Sequence, residues 1–243
     1  MRFLLICCLS VFLFSCKKSE PGDDVQLFVT GIMNNNFAPV NVNGRQTVFN
    51  KFRFYISGIK WITTDNDTIL AKNYFLYDFP SNDVSIQVDG LLQPSDPEKI
   101  KAIVFSIGLD SILNNSNPVT FPSGHPLSLD KDMYWGMLKY RFLVTEGSFD
   151  STASKTGVTD FPFSIHLGTN ALYRQLSFPI IISSGTPVNI VFNPAKIFDG
   201  PDGVLDLRDN YSNHSDPGEI PKAIKLMNNF AAGLSVETPV YIH

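Results

Sequence analysis

All three cysteines of the chain, Cys7, Cys8 and Cys16, lie within its first sixteen residues. The rest of the chain therefore has no disulfide framework and no thiolate ligand for a metal. A chain without such cross-links must be stabilised by a hydrophobic core, and 243 residues are enough to build one. One large domain or two small ones would fit this length.

The N-terminus is typical of a bacterial lipoprotein signal. Arg2 is followed by an apolar run that ends at a small residue and a cysteine, which is the pattern of a secretory signal. The run is shorter than the roughly 20 apolar residues that span a bilayer. Leu13-Phe14-Ser15-Cys16 is similar to a lipobox, where the signal is cut and the thiol acylated. We expect residues 1–15 to be a signal peptide and membrane lipid to be attached through Cys16 at the outer membrane, on its periplasmic or surface face. An ordinary secretory signal cut nearby is the alternative.

The segment that follows the signal predicts a solvated tether, because residues 17–24 contain no apolar side chain. We therefore place a lipidated tether at 16–24 and the folded domain at 25–243. The chain has 23 acidic and 19 basic residues, and no cluster of basic residues follows the tether. We expect no nucleic-acid partner.

The body of the chain has the composition of a β protein. Its 20 Phe, 8 Tyr, 16 Gly and 16 Pro are spread along the whole length, which favours short strands separated by turns. Helical spacing occurs only near the C-terminus, over residues 220–232, behind Pro221. The sequence therefore predicts a mainly β, single-domain β-sandwich or barrel-like fold with a short C-terminal helix. The predicted strands are 25–32, 51–63, 73–78, 84–88, 101–108, 133–146, 161–167, 175–182 and 188–192.

Motif searches argue against an enzyme. The chain has no Gly-x-Ser-x-Gly, no His-Glu-x-x-His and, after the signal, no catalytic cysteine. The acidic run 199–209 has spacing that suggests a calcium loop, but it lacks the terminal Glu and ligand order of an EF-hand. A turn is the favoured interpretation of this run, and a calcium site is the alternative.

Histidine and tryptophan are scarce, with four and two residues respectively. His166 lies in a predicted strand whose alternation puts Phe163, Ile165 and Leu167 on one face and His166 on the other. A histidine on a polar face is most often only solvated. A metal ligand is the alternative.

The predicted strand 133–146 places Met133, Trp135 and Met137 on one face if its alternation is unbroken. Core packing explains such a group most simply, since methionine fills gaps around large rings. Gly136 offers a place for a bulge that would break the alternation. A site built from imidazole and thioether would suit copper, especially Cu(I), better than calcium or magnesium.

Six short strings occur in a fixed order along the chain. They are Phe105-Ser-Ile-Gly-Leu-Asp-Ser-Ile-Leu-Asn114, His125-Pro-Leu127, Asp132-Met-Tyr-Trp-Gly136, Tyr140-Arg-Phe142, Glu146-Gly147 and His166-Leu-Gly168. Together they resemble the MbnP-like copper-binding family. The resemblance extends upstream to residues 52–61 and 74–78, and loosely downstream to the regions around 214 and 228–230. It covers nearly the whole chain after the signal.

The resemblance implies a function and a partner. Members of the family are similar to periplasmic or surface proteins found beside a di-haem peroxidase-like partner, which oxidises a tryptophan to kynurenine. That product then joins histidine in binding copper. Trp135 matches the tryptophan of the motif and His166 matches the histidine, while His125 is the next candidate ligand. Where the family motif reads Trp-x-Trp, this chain has Met137, whose sulfur would suit Cu(I) unless it only packs.

The leading hypothesis is a non-enzymatic lipoprotein of the cell envelope that holds copper. The main alternative is a surface nutrient-binding module, or a partner of an outer-membrane transporter, that binds without metal. Trp61 and the tyrosines would then line the ligand face. In a third interpretation the matching strings only determine the fold.

Overall fold

The computed structural model describes residues 24–32, 38–80, 85–183 and 185–238. The predicted signal peptide and Cys16 lie outside these ranges and stay predictions, as does nearly all of the tether. No helix in the described ranges is long and apolar enough to cross a membrane.

The larger of two main sheets has eight strands and is organised around one long strand, β3. Its strands run in the order β13-β8-β7-β3-β6-β9, while β2 and β4 also pair with β3. Nearly all of these pairs are antiparallel, the exception being the parallel pair β13 and β8. The strands are β2 (Val40–Val42), β3 (Arg45–Thr63), β4 (Thr68–Phe79), β6 (Ile100–Ile107), β7 (Arg141–Phe149), β8 (Phe161–Gly168), β9 (Arg174–Pro179) and β13 (Ser212–Asn213).

The smaller sheet has four strands in the order β14-β10-β1-β5. Its central pair, β1 and β10, is parallel, and the two outer pairs are antiparallel. The strands are β1 (Gln26–Gly31), β5 (Ser85–Gln87), β10 (Pro187–Phe192) and β14 (Ser235–Glu237). A separate ribbon joins β11 (Asp199–Gly200) to β12 (Gly203–Val204). The helices are α1 (Ser111–Asn114) and α2 (Ile220–Ala232).

An aromatic cluster forms the core where the two sheets and α2 meet. The rings of Phe52 and Phe54 on β3 lie 5.2 and 5.0 Å from that of Phe192 on β10. Phe230 of α2 packs on the same cluster, 5.1 Å from Phe54. Burial of these large rings is the main stabilising contribution that a chain without disulfides can make. The mainly β fold with one C-terminal helix is confirmed, and α2 has the predicted bounds.

The predicted strand 133–146 is wrong in its first half, because β7 begins only at Arg141. Gly136 has a φ of +34° and Lys139 a φ of +62°, so the chain turns through a short 3₁₀ segment, Gly136–Leu138. The Trp135 N–H donates to the Lys139 carbonyl at 2.7 Å and closes the turn. The predicted alternation therefore fails. Met133 is fully buried, whereas Trp135 is 45% exposed.

The strands that the sequence analysis missed are the short strands β2 and β11 to β14. Each has only two or three residues, too few for alternation to be visible. The acidic run 199–209 folds into the β11–β12 ribbon and then a turn, in which the Asp209 N–H donates to the Asp206 carbonyl at 3.1 Å.

Candidate metal centre

Two histidines and one tryptophan meet on the polar face of β8. His166 lies on β8, His214 directly follows β13, and Trp135 is in the turn before β7. The ring centroids of the two histidines are 4.9 Å apart, and the Trp135 ring lies 5.6 Å from His214 and 6.1 Å from His166. All three contacts are edge-to-face.

The alternation of β8 places His166 at this site. Phe163, Ile165 and Leu167 are buried, while Ser164 and His166 point to the other face and are half-buried. This confirms the two faces predicted from the sequence. On β7, Val144 is the direct partner of His166.

His214 reaches the site because its loop is bonded to β8. β13 runs parallel to β8, with Asn213 opposite Ile165. The Ser215 hydroxyl donates to the His166 carbonyl at 3.2 Å and accepts from the Gly168 N–H at 3.1 Å. The carboxylate of Glu219, at the start of α2, accepts from the His214 backbone N–H at 2.6 Å. These contacts fix the backbone of His214 while its ring turns toward His166.

The two imidazoles approach through their Nδ1 atoms, which are 3.3 Å apart. An ion about 2.0 Å from each nitrogen, the usual metal–imidazole bond length, would have a bond angle of about 110° there. Imidazole nitrogen is a good ligand for copper and zinc and a poor one for calcium or magnesium. Within the described ranges, no group of three or more His, Cys, Asp or Glu side chains is arranged to hold a metal. The donor set therefore fits copper with these two nitrogens as ligands, and further donors would have to come from other groups.

Two charged side chains, Glu146 and Lys51, lie on the Nε2 side of His166. Its Nε2 lies 2.8 Å from Oε1 of Glu146 on β7, and the other carboxylate oxygen lies 3.1 Å from the Lys51 ammonium. Burial alone would raise the pKa of Glu146, but hydrogen bonds from His166 and Lys51 outweigh it and lower that pKa. Burial lowers the pKa of His166, and the hydrogen bond to Glu146 opposes this only in part. A neutral imidazole therefore faces His214 near pH 7.

Arg141 brings a permanent positive charge to the other side of the site. Its guanidinium carbon lies 5.9 Å from the Trp135 ring centre, within cation–π range. Its Nη2 donates to the Asp132 carboxylate at 3.0 Å. The guanidinium thus ties the turn that carries Trp135 to the start of β7.

The structure does not bring His125 to this site. β4 lies on one edge of β3 and β7 on the other, so three strand spacings, about 14 Å, separate β4 from β8. His125 contacts β4, where its Nε2 lies 3.0 Å from the Tyr74 hydroxyl. Its Nδ1 accepts from the Leu127 N–H at 3.1 Å, and the Phe121 ring stacks on it at 4.4 Å. Both nitrogens are therefore engaged, so the site proposed below does not include His125, whose ligation is predicted by the resemblance alone.

Two of the remaining candidates, Met133 and Trp61, lie in the core. Met133 belongs to the hydrophobic core, which fits the packing interpretation, and the side chain of Met137 lies outside the described part of the structure. Trp61 is fully buried, with its indole N–H 3.4 Å from the Leu92 carbonyl. It therefore does not line a surface ligand face, as the nutrient-binding alternative required.

His214 is the residue that the sequence analysis did not identify as a ligand. It follows a strand of two residues and lies in no periodic pattern, so the residues around it do not predict that it lies beside His166. The only signal was that the family resemblance extends loosely to this region.

Comparisons with known proteins agree with this fold. A family model described as MbnP matches residues 23–216, a range that includes Trp135, His166 and His214. The solved structure of MbnP from Methylosinus trichosporium is similar over 89% of this chain and 98% of its own, with a TM-score of 0.53 and 13% identity. At this identity the likeness shows the fold alone. Among curated proteins, none matches this chain.

Proposed function

The chain belongs to the MbnP family, and from this premise we propose that it is a copper-binding lipoprotein of the bacterial cell envelope. In this proposal His166 and His214 hold the ion, and Trp135 covers it from the solvent side. The protein binds copper and does not catalyse a reaction of its own. Its predicted signal and Cys16 would anchor it to the outer membrane, on the periplasmic or the surface face.

The observation that carries the proposal is the pair of Nδ1 atoms 3.3 Å apart. Two imidazole nitrogens at this separation can share a proton or bind one ion between them. The same pair lies beside the one tryptophan that the structure exposes, at 45% of its surface, while Trp61 is fully buried. Imidazole nitrogens suit copper or zinc and not calcium or magnesium, and the resemblance to a copper-binding family favours copper of the two.

We further propose that Trp135 is converted to kynurenine by a di-haem peroxidase-like partner. Its exposure allows an external oxidant to reach the indole. Two peroxide molecules would supply the two oxygen atoms that cleave the indole C2–C3 bond, each leaving its second oxygen as water. Hydrolysis would then release the formyl carbon as formate. The product has a ketone and an aryl amine where an inert ring stood, so it adds donor groups beside the two histidines.

Metal analysis of protein from copper-supplied cells tests the proposal. We expect up to one equivalent of copper in the wild type and a strong loss in His166→Ala. His125→Ala is the matched control, because it removes an imidazole on the far side of β3 and should leave the copper content unchanged. A wild type without copper would overturn the assignment.

The mass of the peptide that contains Trp135 tests the modification separately. Protein produced with the oxidising partner should contain the oxidised residue at Trp135, and the peptide that contains Trp61 should be unaltered. An unaltered Trp135 peptide under these conditions would overturn the proposed modification but would not contradict the proposed copper site.

A further inference from the structure

Four side chains form a continuous chain that ends at the proposed copper site. The Lys51 ammonium lies 3.1 Å from Oε2 of Glu146, and Oε1 of Glu146 lies 2.8 Å from Nε2 of His166. On the far side of that ring, Nδ1 lies 3.3 Å from Nδ1 of His214. The chain crosses three neighbouring strands, since Lys51 is on β3, Glu146 on β7 and His166 on β8.

This arrangement determines which nitrogen of His166 carries the proton. Oε2 of Glu146 pairs with the Lys51 ammonium at 3.1 Å, and a carboxylate paired in this way only accepts hydrogen bonds. The nitrogen 2.8 Å from it must therefore be an N–H donor. Since a neutral imidazole has one N–H, the lone pair is on Nδ1 and points at His214.

The carboxylate also fixes the orientation of the ring. A half-turn about the Cβ–Cγ bond would carry Nε2 away from Glu146 and replace Nδ1 with a carbon atom on the side of His214. The Ser164 hydroxyl, 3.1 Å from Nε2, holds the ring at the same point. Lys51 forms an ion pair with Oε2 of Glu146, which leaves Oε1 free to accept a hydrogen bond from His166.

We propose that Glu146 is a positioning residue that holds His166 as its Nε2–H tautomer, so that His166 presents the lone pair of Nδ1 to the ion on the side of His214. This inference rests on the proposed copper site. A carboxylate bonded to the outer nitrogen of a ligand histidine orients the ring and raises its basicity, and removal of such a partner typically lowers metal affinity about 10- to 100-fold. Glu146 itself does not touch the ion.

Nitrogen NMR on the metal-free protein tests the proposal without copper. The wild type should show His166 with a protonated Nε2, an unprotonated Nδ1 and a protected Nε2–H signal. Glu146→Leu should lose that protected signal and show a mixed ring state, whereas Glu146→Gln, which keeps an acceptor oxygen, should retain most of it. An unchanged His166 spectrum in Glu146→Leu would overturn the inference.

Glu219→Gln is the matched control. Glu219 also bonds to a histidine of the site, but through the backbone N–H of His214. Its replacement should leave the Nε2–H signal of His166 in place. If Glu219→Gln removed that signal as Glu146→Leu does, general loosening of the site would explain both results and the inference would fail.

Competition titration with Cu(I) completes the test. We expect Glu146→Leu to bind Cu(I) about 10- to 100-fold more weakly than the wild type, with Glu146→Gln in between. Because Cu(I) is diamagnetic, the nitrogen spectrum of the loaded wild type should show both Nδ1 atoms perturbed. Equal affinity in Glu146→Leu and wild type would overturn the positioning role. A wild type that takes up no Cu(I) would instead overturn the proposed function, while the metal-free spectra would still decide the tautomer.

Discussion

The Asp206 carboxylate, which is bonded to both Arg208 and Arg45, should make a measurable, pH-dependent contribution to stability. Nε of the buried Arg45 lies 3.1 Å from Oδ1 of Asp206, and its Nη1 donates to the Asp150 carbonyl at 2.8 Å. The guanidinium thus joins the start of β3 to two loops that are distant in sequence. Burial alone would raise the pKa of Asp206, but hydrogen bonds from the Arg208 N–H and from Arg45 outweigh it and lower the pKa from 3.8 to about 2.

The magnitude follows from that shift. The pKa of Asp206 falls by 1.8, from 3.8 to about 2. At about 1.36 kcal/mol per pKa unit, this carboxylate contributes at most about 2.4 kcal/mol to the free energy of unfolding. Since the Asp206 side chain is 36% exposed, solvent screening reduces this to about 1 kcal/mol. A lowered pKa means that the folded state favours the ionised form. The contribution is therefore complete above pH 3.8 and is lost as the pH falls through about 2.

Urea unfolding of wild type and Asp206→Asn at several pH values measures this contribution. At neutral pH the variant should be less stable by about 1 kcal/mol, and the gap between the two proteins should close as the pH falls toward 2. Asp209→Asn, a substitution at a nearby exposed carboxylate, is the control and should show no such gap. A difference that stays constant with pH would refute the electrostatic origin, and no difference at neutral pH would refute the contribution itself.

Two further predictions concern the sheet and the anchor. Gly147→Ala should destabilise the fold by about 1–3 kcal/mol, because an added Cβ would lie 1.9 Å from the Val48 carbonyl oxygen and 2.8 Å from the Phe163 ring. Gly218→Ala, where an added Cβ meets no atom within 4 Å, should change the unfolding free energy by less than about 0.5 kcal/mol, and equal effects of the two would contradict the steric argument. Cys16→Ser should abolish labelling by radioactive palmitate and release the protein from the membrane fraction, whereas retained labelling would place the lipid elsewhere.

The parts of the fold that could be predicted from the sequence are those with a regular period. The alternation around His166 gave the correct buried face, and the spacing behind Pro221 gave α2 with its observed bounds. Both are local patterns, because the buried face of a strand or an amphipathic helix can be identified from a short stretch of its sequence. The aromatic composition likewise indicated a β core before any pairing was known.

The parts that could not be predicted depend on backbone turns and distant contacts. Lys139 has a positive φ although it is not glycine, so its residue type does not predict the turn that exposes Trp135. His214 is held by a two-residue parallel pairing and by Glu219. Neither contact produces a periodic pattern in the sequence. His125 was the more conspicuous histidine in the sequence, yet the sheet order separates it from His166.

Anaerobic Cu(I) titration of His214→Ala beside His125→Ala tests the central claim most directly, because the two variants each remove one imidazole and differ only in which side of β3 loses it. We expect His214→Ala to weaken Cu(I) binding by more than about 100-fold, which exceeds the typical effect of removing a residue that only supports a ligand. His125→Ala should bind like the wild type. Wild-type affinity in His214→Ala, or a loss confined to His125→Ala, would contradict the site formed by His166 and His214.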